Sequence, residues 1–139
     1  MSPMLDDMIL FRTFSTQEER RKFGGTDFME LQYCRLPQGT ELKQVVSVDA
    51  IDHWKNDSLY IYGNDENEFM SYYGKIFTGG TYNNLECGPV DTCGINFYSY
   101  EQTLLMLEKV QEMKPLDYQV LANWLEKAKT MNGIYFLGL

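Results

Sequence analysis

At 139 residues the chain is near the usual size of one domain, and 44% apolar with 14% aromatic content is too rich for a disordered polymer. A net charge of −8 and a pI near 4.6 exclude the basic face that nucleic-acid phosphates require. No run approaches the roughly 18 apolar residues of a membrane span and no secretory leader is legible, so a cytoplasmic, non-membrane protein is expected.

In chain order, Met8 to Phe14 reads as a first strand. Ser15-Thr16-Gln17-Glu18 then has capping-box form and opens a short helix to about Phe23, ended by Gly24-Gly25. Its basic run Arg20-Arg21-Lys22 falls in the last turn, where the helix dipole favours cations, which gives the run a structural role in preference to a ligand site. Phe28 to Arg35 is a strand with Phe28, Glu30, Gln32 and Cys34 on one face and Met29, Leu31, Tyr33 and Arg35 on the other; neither face is cleanly polar. Leu42 to Val48 and Ser58 to Tyr62 read as further strands, with Asp49 to Trp54 a loop or single helical turn between them. Asn64 to Tyr73 reads as a helix with acids in its first turn, and the Gly-, Asn- and Thr-rich stretch Gly79 to Gly94 as a long irregular connection with room for one short strand.

The C-terminal third carries the strongest periodicity. Ile95 to Tyr98 is a strand, Ser99-Tyr100-Glu101-Gln102 a second capping box, and Leu104, Leu105, Leu107, Val110 and Met113 follow at helical spacing up to Pro115. Asp117 is placed to cap another helix with Val120, Leu121, Trp124, Leu125 and Ala128 on one face, stopped by Asn132-Gly133. Ile134 to Leu137 has the apolar character of a buried strand. The expected fold is a single α+β domain over residues 1–139, a mainly antiparallel sheet covered by a C-terminal pair of antiparallel helices.

Charge is uneven along the chain. Residues 41 to 101 hold ten carboxylates against three lysines, and both flanks are near neutral. Asp49, Asp52, Asp57, Asp65, Glu66 and Glu68 supply charge there, interspersed with Trp54, Tyr60, Tyr62, Tyr72 and Tyr73. Charge that steers an encounter and aromatics that anchor a contact make this set the candidate binding surface for a basic protein. Plain solvated surface is the competing explanation of the acids, and some of the aromatics are needed for the core.

Other chemistry is thinly supported. Cys34, Cys87 and Cys93 are an odd number and match no zinc spacing. Cys93, His53 and Asp91 can be written as a nucleophilic set, but nothing in the sequence brings residues 53 and 93 together. Asp49, Asp52 and His53 are three potential ligands within five residues and with Asp57 could hold a divalent cation through hard oxygens, but such clusters are common by chance. Phosphate loops, dinucleotide fingerprints and nucleophile elbows are missing, so no catalytic residue, metal or cofactor is expected.

The segments Ile95-Asn96-Phe97-Tyr98-Ser99-Tyr100, Trp124-Leu125-Glu126-Lys127-Ala128 and Asn132 to Leu139 resemble some immunity proteins of bacterial contact-dependent growth inhibition and polymorphic-toxin systems. The resemblance covers about a third of the chain and includes no catalytic motif. It implies a small, acidic, non-enzymatic protein that neutralises a cognate toxin domain, often a nuclease. The acidic middle segment fits that role independently, because a nuclease site is basic and carboxylates can occupy it. A phage-encoded inhibitor of a nuclease-based defence system would carry the same features. The rival of another class is a small enzyme or ligand-binding domain using residues 79–94, for which a pocket lined by Cys87, Asp91 and Cys93 near His53 would speak.

Overall fold

The computed structural model describes residues 9–139. In chain order the elements are α1 (Gln17–Gly24), β1 (Phe28–Tyr33), α2 (Leu42–Val45), β2 (Leu59–Tyr62), α3 (Glu66–Tyr73), β3 (Gly80–Tyr82), β4 (Cys87–Gly88), β5 (Ile95–Tyr98), α4 (Tyr100–Met113), α5 (Tyr118–Lys127) and β6 (Ile134–Leu137), with three short 3-10 turns. The strands form one sheet in the order β2-β1-β6-β5-β3-β4, antiparallel throughout. The fold is α+β, as the pattern of strands followed by a helix pair implied.

The short apolar ending takes the centre of this sheet. β6 pairs with β1 through Leu31 opposite Phe136 and with β5 through Phe97 opposite Tyr135. All four of its residues are buried, the reason a strand between two others carries no polar alternation. Met29, Leu31, Leu59, Ile61, Tyr98, Ile134 and Phe136 point to one face, where Phe69 and Tyr73 of α3 and the apolar stripes of α4 and α5 close over them in the main core. The opposite face carries Phe97, Tyr135 and Leu137, covered by Val45, Val46 and Ile51 from the segment between β1 and β2.

Helix α4 begins with the expected capping box. Ser99 Oγ accepts from the Gln102 amide at 3.2 Å and Gln102 Oε1 accepts from the Ser99 amide at 2.8 Å. It ends at Lys114, left-handed at φ 48°, because the residue before Pro115 is kept out of the helical region.

Several expectations are corrected. Residues 9–14 form no strand beyond a single bridge from Arg12 to Tyr60, and Met8 lies outside the described residues. Leu10 and Phe11 bury together and give both amides to Asp117 Oδ2 at 2.9 Å. That use removes Asp117 from capping α5, whose N-terminus has no side-chain cap. Thr16 replaces Ser15 as the cap of α1, accepting from the Glu19 amide at 3.2 Å. Leu42 to Val48 is a helical turn followed by a 3-10 turn, since a helix sends Val45 and Val46 together onto Tyr135 and Phe97 where a strand would split them. Residues 80–88 form a two-strand hairpin, one strand more than the single one allowed for.

Candidate functional site

The site is built around Glu30, a carboxylate in the middle of β1 with no exposed surface. Its side chain points to the face opposite the main core, because β1 alternates Met29 and Leu31 inward to the helices. A buried charge survives only when its lone pairs are filled. Glu30 Oε1 accepts from the Trp54 amide at 3.0 Å and lies 3.3 Å from His53 Nδ1. Oε2 accepts from the Lys55 amide at 3.0 Å, Ser58 Oγ at 2.6 Å and Gln32 Nε2 at 3.1 Å. Burial by itself would push the Glu30 pKa up, but hydrogen bonds from His53, Ser58, Trp54 and Lys55 together hold it below the ordinary glutamate value.

The consequence is a loop, residues 52–58, pinned along its length. Gln32 Nε2 donates to the Asp52 carbonyl at 2.9 Å, Gln17 Nε2 to Asn56 Oδ1 at 2.8 Å and Trp124 Nε1 to the Asp57 carbonyl at 2.8 Å. Tyr60 Oη donates to the Lys55 carbonyl, and burial followed by the charge of Glu30 pushes the Tyr60 pKa up to about 12. Trp54 is left-handed at φ 68°, a conformation that costs a bulky residue roughly 1–3 kcal/mol. The hydrogen bond that its backbone N–H donates to Glu30 and the Arg20 guanidinium 4.0 Å from its ring centroid hold it there. Arg20 is thus buried under Trp54, with Nε donating to Gln17 Oε1 at 2.7 Å and Nη1 donating to the Gly25 carbonyl. Its role is structural, as expected, though by packing more than by the dipole.

Beside the loop is a cleft of about 520 Å³ lined mainly by apolar groups, among them Phe28, Val48, Ile51, Trp54, Ile95 and Leu139. Its second wall is the turn 91–94. Asn96, fully buried in β5, donates Nδ2 to the Asp91 carbonyl at 2.8 Å and the Phe136 carbonyl at 3.0 Å, and accepts from the Asp91 amide at 2.8 Å. Asp91 Oδ1 accepts from the Cys93 amide at 2.9 Å, and the Gly138 and Leu139 amides donate to the Gly94 and Thr92 carbonyls. A Cβ at Gly138 would run into the backbone of Thr92 and Cys93, so glycine permits this closeness. Each wall therefore depends on one buried polar side chain.

The acids expected to bind a partner fall into two groups at opposite ends of β2. Asp49, Asp52 and Asp57 are exposed on the covering segment; Asp52 pairs with Lys55 Nζ at 2.8 Å and Asp57 with Arg35. Asp65, Glu66 and Glu68, at the start of α3, are half-buried. Burial raises the Asp65 pKa, opposed by Arg12 and assisted by Glu68, and Glu66 Oε2 accepts from Thr92 Oγ1 at 3.0 Å. Among the aromatics, Trp54 and Tyr62 are half-buried and Tyr72 is exposed, whereas Tyr60 and Tyr73 have no exposed surface. Tyr60 and Tyr73 are buried rather than free to anchor a partner: Tyr60, on the face of β2 opposite Leu59 and Ile61, packs among Phe14, Phe28 and Trp54, Tyr73 faces the main core, and each spends its hydroxyl on a backbone carbonyl.

His53 and Cys93 line the same cleft, which sequence spacing could not indicate; Cys87, on the edge strand β4, and Asp91 do not line it. Among the described residues no group of three or more His, Cys, Asp or Glu converges as a metal site: Asp52, His53 and Asp57 each turn to a different partner. Glu30, Gln32 and Asn96 were not singled out as site residues. The available signal was a carboxylate and an amide inside otherwise apolar strands, where an unpaired polar group is costly. Among the described residues no helix is long and apolar enough to cross a membrane. Neither a family model, a curated protein nor a solved structure gives a significant match to this chain.

Proposed function

We propose that this protein is a non-enzymatic inhibitor of the immunity type, which binds a basic protein, such as a toxin nuclease domain, and blocks access to its substrate. The observation that carries the reading is the exposed acidic segment bearing Asp49, Asp52 and Asp57, whose 52–58 part is held in one conformation by Glu30, Gln32, Gln17 and Trp124. A surface ordered before contact loses little conformational entropy on binding, and its carboxylates steer a basic partner toward it. The half-buried acids of α3 and the exposed Tyr72 extend the acidic surface beyond the far end of β2.

The test is co-purification from the source cell of a stoichiometric basic partner whose association slows as salt is raised, since the screening length is about 8 Å at physiological ionic strength. Replacing Asp49, Asp52 and Asp57 together by Asn is expected to weaken the complex by at least about tenfold with little change in stability, because exposed ion pairs contribute about 0–1 kcal/mol. Retention of the partner by the triple variant at high salt overturns the reading.

One observation favours a second reading, a small enzyme or ligand-binding domain. His53, with Nδ1 turned to Glu30, and Cys93 border a common cleft, and a proton on Nδ1 leaves Nε2 of the neutral ring free to act as a base. Under the inhibitor reading Cys93→Ala still neutralises the partner at saturating concentration, one molecule for one. Activity that is lost in a folded Cys93→Ala protein at every concentration, or one molecule inactivating many partners, favours the enzyme.

A further inference from the structure

The cleft between the 48–54 segment and the 91–94 turn has a chemistry of its own, distinct from the acidic surface. Among the described residues no Asp, Glu, Lys or Arg side chain lines it. The acids of its first wall turn elsewhere, Asp49 to a groove shared with Glu41 and Lys43, and Asp52 to one beside Gln32 and Tyr135. The Arg20 guanidinium that lies against Trp54 is 2% exposed and donates to Gln17 Oε1 and the Gly25 carbonyl. A charged ligand here meets no counter-ion side chain, and an anion also meets the field of a chain of net charge −8. The lining side chains include Phe28, Val48, Ile51, Trp54 and Ile95, and Val48 keeps 67% of its surface exposed. A concavity of about 520 Å³ is of the size that encloses a small ligand, and its apolar surface leaves water only when something fills it.

His53 supplies the polar contact. Its Nδ1 lies 3.3 Å from Glu30 Oε1, and Glu30 is held ionised by its other donors, so the proton of this contact belongs to Nδ1. Nε2 of the neutral ring is then an acceptor, on a side chain that is 45% exposed and lines the cleft. An acceptor in an uncharged, apolar site selects a ligand with a donor. We propose that the cleft binds a small uncharged aromatic molecule with an N–H or O–H group, of the indole or phenol class, its ring against Phe28, Ile51, Trp54 and Ile95 and its donor on His53 Nε2. Phe28 and Trp54 favour an aromatic body over an alkyl chain, because ring edges and ring faces attract one another. Glu30 fixes Trp54 and the imidazole, and Asn96 fixes the opposite turn, so binding requires little reorganisation. This site does not depend on the protein contact proposed above.

The test uses the full, unaltered chain at neutral pH with four probes: indole, its isostere benzofuran, which has no N–H, the anion indoleacetate and the cation tryptamine. Binding is followed by backbone amide shifts and by iodoacetamide alkylation of Cys93, which is exposed and lines the cleft, against Cys87, which is exposed and lies outside it. The expected result is saturable binding of indole, with shifts centred on Trp54, Gly94 and Ile95 and protection of Cys93 but not Cys87. Benzofuran is expected to bind roughly three- to tenfold more weakly, the effect of one hydrogen bond, and both ions more weakly than indole. In His53→Phe the preference for indole over benzofuran disappears; if that variant does not fold, the isosteric pair in the unaltered protein decides. Equal binding of indole and benzofuran, a preference that persists in folded His53→Phe, or tighter binding of either ion overturns the proposal. Shifts that do not saturate, with Cys93 unprotected, mean partition onto the surface and overturn it as well.

Discussion

Glu30 concentrates the energetics of the site in one side chain. Its two oxygens meet four donors and His53 Nδ1, and four of these five groups belong to residues 53–58. In Glu30→Gln the shape is kept, but an amide NH2 replaces an acceptor and confronts donors. The expected loss is about 2–3 kcal/mol in denaturant unfolding, the cost of leaving buried polar groups unsatisfied, with faster amide exchange at Trp54 and Lys55. The pH dependence follows from the direction of the shift. A carboxyl held below its ordinary value of 4.5 contributes stability that is fully present above 4.5 and disappears as pH falls through the lower folded value. Wild-type stability therefore declines with acid below about pH 4.5, and Glu30→Gln lacks that part of the decline. An unchanged slope in the variant would show that other carboxyls govern acid unfolding.

At the level of elements, the turn from the last 3-10 helix into β6 sets the register of the central strand. Gly133 has φ 81°, and a Cβ there would overlap the Tyr98 carbonyl at the end of β5. Gly39 has φ 91° with open space around it. The pair separates two effects of adding a methyl group. Gly39→Ala is expected to cost about 1 kcal/mol from the left-handed backbone alone, and Gly133→Ala at least about 2 kcal/mol more because backbone must move. Equal midpoints in urea would mean that β5 and β6 separate more easily than their pairing implies. The same level explains the corrected elements. Val45 and Val46 favour a strand intrinsically, yet the outer face of β5 and β6 needed a cover and a helical turn supplied it. Asp117 has the side chain of an N-cap, but two amides from residues 10 and 11 claimed it first.

For the whole molecule, β6 is the seam. It joins β1, with its neighbour β2, to β5, with the β3–β4 hairpin, and it carries Ile134 and Phe136 into the main core. Deleting residues 134–139 is expected to abolish cooperative unfolding altogether, since the lost burial at roughly 1.5–3 kcal/mol per large side chain is comparable with a total stability of about 5–15 kcal/mol. A truncated chain with an unchanged unfolding midpoint would place this strand outside the core. The same seam positions the cleft, because Leu137, Gly138 and Leu139, which continue β6, are among the residues that line it.

Much of this architecture was legible in the chain. The α4 capping box, the Gly133 stop and the apolar ending depend on neighbours within a few residues, where hydrogen-bond geometry and periodicity act directly. The two-faced pattern of β1 was equally readable. What local pattern cannot carry is the meeting of residues distant in sequence. Glu30 against residues 53–58, Asn96 against Phe136, and His53 in one cleft with Cys93 exist only because β2, β1, β6 and β5 lie side by side in the sheet. The sorting of Trp54 and Tyr72 from Tyr60 and Tyr73 has the same origin. An aromatic residue carries the same apolar area wherever it stands, and only the position of the other elements determines whether that area meets water or the core.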